Sequence, residues 1–305
     1  MDKIKGLVAA PFAPMDGEGC VQLSAIAGYY RMLVKNGIVG AFVNGSTGEG
    51  ASLSFDEKVK ICEQWTLAAK AQPAFRIINL VGGTSYVECQ ELARISERLG
   101  CHAIAILAPY YFRPAGVEQL VDYIALIASV VPKMQVYFYH IPVLAGSNFP
   151  MIELLKRVNG KIPNFVGIKY THEDFMDYLS CLNYDSRHYD LLWGRDENLL
   201  SALILGATGA VGSTYNYAAP LYHSLINAFN RGDFEEANRL QQLSINMIEL
   251  LGKYGGIGAG KLYMRSIGFN CGKFRLPVRN IPDERFHEFE ADVRRIGINS
   301  YFSVL

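Results

Sequence analysis

Asn164-Phe165-Val166-Gly167-Ile168-Lys169-Tyr170-Thr171 is a short, almost wholly apolar run that carries a lysine near its end. Runs of this kind mark strands covered on both faces, which belong to parallel sheets flanked by helices. An ammonium at the tip of such a strand is costly to bury unless it is paired or neutral. Desolvation favours the neutral amine, and a neutral amine is a nucleophile that forms a Schiff base with a ketone. Lysines at strand ends ordinarily snorkel into solvent. Lys169 therefore reads as chemical only if the rest of the chain supplies it with partners.

Working outward from this strand (Phe165–Lys169), the same alternation of apolar strand and amphipathic helix runs along most of the chain. The other strands are expected near Gly6–Ala10, Val39–Asn44, Arg76–Val81, Ala103–Ala108, Gln135–His140, Leu191–Trp193 and Gly209–Ser213. Helical periodicity fills the intervals, as over Phe55–Lys70, with Ser54 and Glu57 spaced as a capping box. Over Tyr86–Leu99, Thr84 or Ser85 serves as N-cap and Gly100 as the stop. Eight strands each followed by a helix specify an α/β fold, a (β/α)8 TIM barrel. An open doubly wound sheet is the alternative, but the first strand lacks the glycine fingerprint of that fold. After Asn230 the strand signal ends. Phe234–Leu251 carries an apolar stripe of Leu240, Leu243, Ile245, Ile248 and Leu251, and helical stretches follow near Ala259–Ile267 and Asp283–Ile296. The expected organisation is a barrel with the active site over residues 1–230 and a C-terminal helical extension over 231–305, packed on the barrel.

Composition narrows the partners. Formal net charge is zero and no long run of like charge occurs, which argues against nucleic acid or an anionic membrane surface. Cys20, Cys62, Cys89, Cys101, Cys181 and Cys271 are scattered without a CxxC pair, so reduced, mostly buried thiols in a cytoplasmic protein are expected. The N-terminal apolar stretch is short and interrupted by Pro11 and Pro14, unlike a signal peptide or a membrane span.

In a barrel, chemistry gathers at the C-terminal ends of the strands. Strand two ends in Gly45-Ser46-Thr47-Gly48-Glu49, a small-residue turn whose amides and hydroxyls suit a carboxylate, or else merely cap the next helix. Strand four ends in Pro109-Tyr110-Tyr111 and strand five in Tyr139-His140-Ile141-Pro142. A tyrosine beside a cationic iminium can ionise and relay protons; the plain reading of Tyr139 and Tyr111 is core aromatic. Strand seven ends in Gly194-Arg195-Asp196-Glu197, adjacent acids that suit acid–base work, metal, a hydroxylated ligand or a helix first turn. No histidine or second acid pair completes a metal site there. His140 and His172 lack metal-ligand spacing and read as hydrogen-bonded structural residues. Strand eight ends in Gly212-Ser213-Thr214. Gly255-Gly256-Ile257-Gly258-Ala259-Gly260-Lys261 imitates a phosphate-binding loop, but Leu262 stands where a Mg²⁺-ligating Ser or Thr is required and no strand precedes it.

Taken together, GSTGE at strand two, YHIP at strand five and GIKYT at strand six resemble the class I pyruvate-dependent aldolases, the group of dihydrodipicolinate synthases and N-acetylneuraminate lyases. The resemblance spans nearly the whole chain and leans to the lyase branch. Leu144 stands where the synthases place an arginine for a second carboxylate, and YHIP is similar to the animal form of the lyases. Around Ile257, bacterial lyases often carry a phenylalanine, so this loop departs from their pattern.

The resemblance implies cleavage of N-acetylneuraminate, a sialic acid, to N-acetylmannosamine and pyruvate. Lys169 would form the Schiff base and Tyr139 relay protons. Ser46 and Thr47 would hold the carboxylate, with Ser46 passing protons to Tyr139. Tyr111 would complete that relay from a neighbouring subunit of a homotetramer. Thr171 would contact the hydroxyl beyond the scissile bond, and Asp196, Glu197, Ser213 and the backbone at Gly194 would bind the hydroxylated tail, with no metal or organic cofactor. A related Schiff-base aldolase acting on another 2-keto sugar acid is the second reading. A non-catalytic binding protein on the same barrel is the third, and retention of Lys169 and Tyr139 speaks against it.

Overall fold

In the computed structural model, which describes residues 3–305, eight parallel strands close into a barrel in sequence order. They are β1 Gly6–Ala9, β2 Gly40–Val43, β3 Arg76–Leu80, β4 Ala103–Leu107, β5 Gln135–His140, β6 Phe165–Tyr170, β7 Asp190–Trp193 and β8 Gly209–Gly212. Pairing of β1 with β8 closes the ring, so the sheet has no open edge. All eight lie where the apolar runs place them, with ends displaced by a residue or so.

The outer ring consists of α1 Ile26–Lys35, α2 Phe55–Ala69, α3 Tyr86–Leu99, α4 Val117–Ala128, the single turn α5 Pro142–Ala145, α6 Met151–Val158, α7 Phe175–Asn183, α8 Leu199–Leu205 and α9 Tyr215–Asn230. The cap signals act as local chemistry requires. Ser54 Oγ accepts from Glu57 N (3.2 Å) while Glu57 accepts from Ser54 N (2.8 Å), which satisfies two otherwise orphaned donors of α2. Ser85, not Thr84, caps α3, and Gly100 ends it in the left-handed region at φ 81°.

Two apolar layers result. Alternate strand residues such as Val8, Phe42, Ile78, Tyr137, Tyr139, Leu192 and Val211 fill the barrel interior. The others pack outward against the helices. At the floor, Asp190 accepts from Tyr137 Oη (2.8 Å) and from the backbone N of Ile4 (3.0 Å).

β6 breaks the simple alternation. Phe165 and Ile168, three residues apart, both join the outer layer. The register against β5 shifts at this point: Val136 pairs with Phe165 but Tyr137 pairs with Gly167. The extra residue is a β-bulge, which reverses the in–out phase of the rest of the strand. Without it Lys169 would share the outward face of Phe165; with it, Lys169 pairs with inward-facing Tyr139 and enters the barrel.

The chain after β8 doubles back over the C-terminal end of the barrel as α10 Phe234–Lys253, α11 Gly260–Ser266 and α12 Phe286–Ile296. Pro220 interrupts α9, where Ala218 leaves helical geometry (φ −135°). The tail secures this kink, because Ser303 N donates to Tyr217 O at 2.8 Å. No helix among the described residues is long and apolar enough to cross a membrane.

Candidate active site

A cavity of about 180 Å³ opens at the C-terminal ends of the strands, and its wall includes Ser46, Thr47, Tyr139, Lys169, Thr171, Gly194, Asp196, Glu197 and Ser213. Every candidate except Tyr111 therefore meets in one place. Tyr111 follows β4, is 78% exposed, and packs edge-to-face on Phe112 instead. A larger, mostly apolar cavity of about 320 Å³ adjoins the first and shares Ser46, Ile141, Leu144 and Ile257 with it.

Lys169 is 4% exposed, and its Nζ lies 4.0 Å from the ring centres of both Phe42 and Tyr139. The aromatic faces favour a cation, and the Asp196 carboxylate also favours the ammonium. Burial outweighs these attractions and lowers the amine from its ordinary 10.5 to about 7. A large fraction of the amine is thus neutral near neutral pH. For Tyr139, burial pushes the phenol up to about 12, opposed by the neighbouring hydroxyls of Ser46 and Thr171. Thr171 Oγ1 is buried beside the Tyr139 phenol, packed against Gly194, and has no partner at hydrogen-bond distance among the described residues.

The Ser46–Thr47 turn is bracketed by two non-glycine residues in the left-handed region, Asn44 (φ 58°) and Glu49 (φ 57°). Such geometry persists only where its surroundings hold it. Asn44 Nδ2 donates to Lys58 O (3.1 Å) and Asn79 Oδ1 (2.8 Å). Glu49 Oε1 accepts from Lys261 Nζ (2.7 Å), and Oε2 accepts from Arg275 N (2.7 Å). Lys261, the lysine of the loop that imitates a phosphate site, is thus occupied in a fully buried ion pair. The motif braces the turn from α11.

Asp196 and Glu197 open a 3₁₀ turn after β7 and diverge, as adjacent residues of a helical turn must. Asp196 is buried, and its Oδ2 accepts from Thr214 N (3.0 Å) and Thr214 Oγ1 (2.6 Å). Oδ1 has no partner among the described residues. Burial pushes this carboxyl up to about 6, with the Thr214 hydrogen bonds opposing. A glycine at 212 is required, because any Cβ there would overlap the Asp196 carboxylate. Glu197 is partly exposed and pairs with Arg195 at 2.6 Å, which also pairs with Glu173.

Several contributors are not marked in the sequence by any polar signal. Phe42, under the lysine, reads as a core strand residue. Ile248 and Leu251 read as a helix stripe, yet they line the cavity from α10, and Ile257 joins them. Thr214 was legible only as part of a strand end. His140 differs from expectation in one respect. It is buried on the outer face between the rings of Phe138, Tyr170 and His172, and its Nε2 has no partner among the described residues. Burial lowers its imidazole to about 3, so it stays neutral. No group of three metal-ligating side chains occurs among the described residues.

Comparison with known proteins agrees with this arrangement. The model of the dihydrodipicolinate synthetase family matches residues 3–296. N-acetylneuraminate lyase of Sus scrofa is 36% identical over 303 residues, covering 98% of this chain and 95% of that protein. Among solved structures, N-acetylneuraminate lyase of Proteus mirabilis superposes with a TM-score of 0.94 at 35% identity, covering 97% of this chain and 100% of the other. That of Aliivibrio salmonicida gives 0.94 at 36% identity, covering 98% of each. With a lysine inside the barrel, the GSTGE turn beside it and a match along nearly its full length, the chain belongs to the dihydrodipicolinate synthetase family.

Proposed function

We propose that this chain is a Schiff-base aldolase that cleaves N-acetylneuraminate reversibly to N-acetylmannosamine and pyruvate. The observation that carries the reading is the buried, partly neutral amine of Lys169, stacked against Tyr139 in a cavity rich in hydroxyls and carboxylates. Lys169 Nζ adds to the ketone of the open-chain sugar acid, and loss of water leaves an iminium. That cation is the electron sink for the bond to be broken, so no organic cofactor is required by the chemistry. It also favours ionisation of the adjacent Tyr139 phenol. Tyr139 then removes the proton from the hydroxyl beyond the scissile carbon–carbon bond, with Thr171 contacting the same hydroxyl. Cleavage releases N-acetylmannosamine and an enamine, which takes up a proton and is hydrolysed to pyruvate.

Ser46 and Thr47 hold the substrate carboxylate, and Ser46 passes protons to Tyr139. Gly194, Asp196, Glu197 and Ser213 bind the hydroxylated tail. Tyr111, exposed on its own subunit, completes the proton relay in a neighbouring site of a homotetramer. Leu144 offers no charge for a second carboxylate, which disfavours the substrates of the synthases. Residues 1–230 form the catalytic barrel and 231–305 an extension that roofs it. All six cysteines are free, as suits a cytoplasmic enzyme.

Borohydride reduction in the presence of pyruvate leaves a covalent adduct on the Lys169 peptide, and N-acetylneuraminate yields pyruvate. An unlabelled peptide overturns the aldolase reading. Pyruvate released only from other 2-keto sugar acids overturns the substrate.

A further inference from the structure

Asp196 is reached by a buried chain of hydroxyls that begins in the C-terminal extension. Thr214 Oγ1 lies 2.6 Å from Asp196 Oδ2 and 2.7 Å from Tyr222 Oη, and Tyr222 Oη lies 2.7 Å from Ser244 Oγ. Ser244 is on α10 and is completely buried. The same helix also grips the backbone of the turn: Gln241 Nε2 donates to Asp196 O (3.2 Å), and Gln241 Oε1 accepts from Leu200 N (2.9 Å).

An ionised carboxylate only accepts hydrogen bonds, and each hydroxyl has one proton to give. With Asp196 charged, Thr214 must donate to it and Tyr222 to Thr214; Ser244 Oγ then donates to Tyr222 Oη, with the Asp196 backbone carbonyl, 3.3 Å away, as its second acceptor. The order is set by the charge at one end. Chains aligned in this way polarise one another and strengthen. The arrangement occupies Oδ2 fully and leaves Oδ1 buried against Gly212, with no partner at hydrogen-bond distance among the described residues and with the Tyr215 phenol, likewise unpartnered, as the neighbouring protein donor.

We propose that Tyr222 and Ser244 are positioning residues that act through Thr214 to hold the Asp196 carboxylate by Oδ2, reserving Oδ1 for a hydroxyl of the substrate tail. This rests on the reading of Asp196 as a tail-binding group. The carboxylate's charge also bears on the reaction, because Asp196 favours the ammonium form of Lys169. Other titratable groups facing it are Glu197 on its own turn, Tyr139 on β5, and Tyr215, Tyr217 and Tyr222 on α9. Against burial and the Glu197 charge, both of which favour its neutral form, the Thr214 hydrogen bonds and, to a smaller extent, the Tyr215 phenol keep Asp196 ionisable.

The test compares Tyr222→Phe and Ser244→Ala with the parent enzyme. Tyr222→Phe raises KM for N-acetylneuraminate by about tenfold with a smaller change in kcat, the loss expected for one hydrogen bond supporting a charged group. It also moves the acid limb of kcat/KM to higher pH, since Asp196 keeps its proton longer. Ser244→Ala shifts both in the same direction and by less. Pyruvate still forms its adduct on Lys169 in both variants. In an Asp196→Asn background, adding Tyr222→Phe changes KM by less than about twofold, because the group it acts through is gone. The proposal is overturned if Tyr222→Phe lowers the melting temperature but leaves KM and the acid limb in place, or if its effect on KM persists in full in the Asp196→Asn background. Should Tyr222→Phe not fold, Ser244→Ala decides by the acid limb alone, because its second contact, to the Asp196 backbone carbonyl, does not touch the carboxylate; an acid limb left in place overturns the proposal. If the parent releases no pyruvate from N-acetylneuraminate, the functional reading falls separately. The relay is then decided by carbon-13 titration of the Asp196 carboxyl, which must move up in pH when the Tyr222 hydroxyl is removed and overturns the relay if it does not.

Discussion

In the proposed mechanism, Lys169 works by being held where its charge is unwelcome. An ordinary lysine is almost wholly protonated at neutral pH, and an ammonium does not attack a ketone. With burial lowering the amine to about 7, kcat/KM is expected to fall as pH drops below about 7; protonation of Asp196, at about 6, adds a loss of tail binding while it relaxes that carboxylate's hold on the ammonium. The two groups interact, so a pH–rate profile reports the pair. A limb lying near 10 would contradict the buried-amine account. Stability follows the same linkage. Between about 7 and the ordinary value of 10.5, the unfolded chain binds a proton on Lys169 that the folded chain does not, so wild-type stability rises with pH across that window. Lys169→Met, which fills similar space without the charge, is expected to be more stable than the parent at neutral pH. Thermal melts should show that advantage shrinking as pH climbs toward 10.5.

At the scale of elements, the bulge in β6 and the brace under the GSTGE turn bring the amine and the Ser46–Thr47 turn together. Gly167 is the sequence trace of the bulge, since a glycine within a strand marks irregular pairing or a close backbone approach. A Cβ at this position would collide with the backbone carbonyl of Asp190 on β7. Gly167→Ala is therefore expected to cost about 1–3 kcal/mol by overpacking, and to lower kcat more than KM by displacing Lys169; unchanged denaturant midpoint and kcat would count against this. The brace is tested by Lys261→Met. It strands the buried Glu49 carboxylate and is expected to cost about 3–5 kcal/mol, as for other buried pairs broken on one side. Adding Glu49→Gln removes the stranded charge, and denaturant unfolding should show most of the loss recovered.

For the whole molecule, the extension is part of the site and not an appendage. α10 supplies Ile248 and Leu251 to the cavity wall, and Gln241 to the Asp196 turn. The exposed Tyr111 and Phe112, at 78% and 85%, are the counterpart at the rim. Solvent-facing aromatics of this size side by side are characteristic of an interaction surface. If Tyr111 serves a neighbouring site, Tyr111→Phe and Lys169→Ala, each impaired alone, regain activity when their subunits are exchanged into mixed oligomers. Exchange without recovery would confine Tyr111 to its own subunit or to no catalytic part.

The barrel was legible from the chain because its cause is local and repeated. Eight apolar runs, each followed by amphipathic periodicity, admit few other architectures, and the cap at Ser54 and the stop at Gly100 are short-range chemistry. The polar strand ends were legible for the same reason, since the barrel rule maps a linear position onto one face. Direction and environment were not. Phase counted along β6 from Phe165 would turn Lys169 outward, and only the pairing with β5 shows the extra residue that turns it in. Lys261 looked like half of a phosphate motif until Glu49, 212 residues away, proved to be its partner. Asp196 gave no hint of Tyr222 and Ser244. The sequence determined which residues reach the mouth of the barrel; the tertiary structure decided which are buried, what they pair with and hence what charge they carry. Those properties depend on desolvation by residues remote in the chain, and desolvation has no sequence spacing.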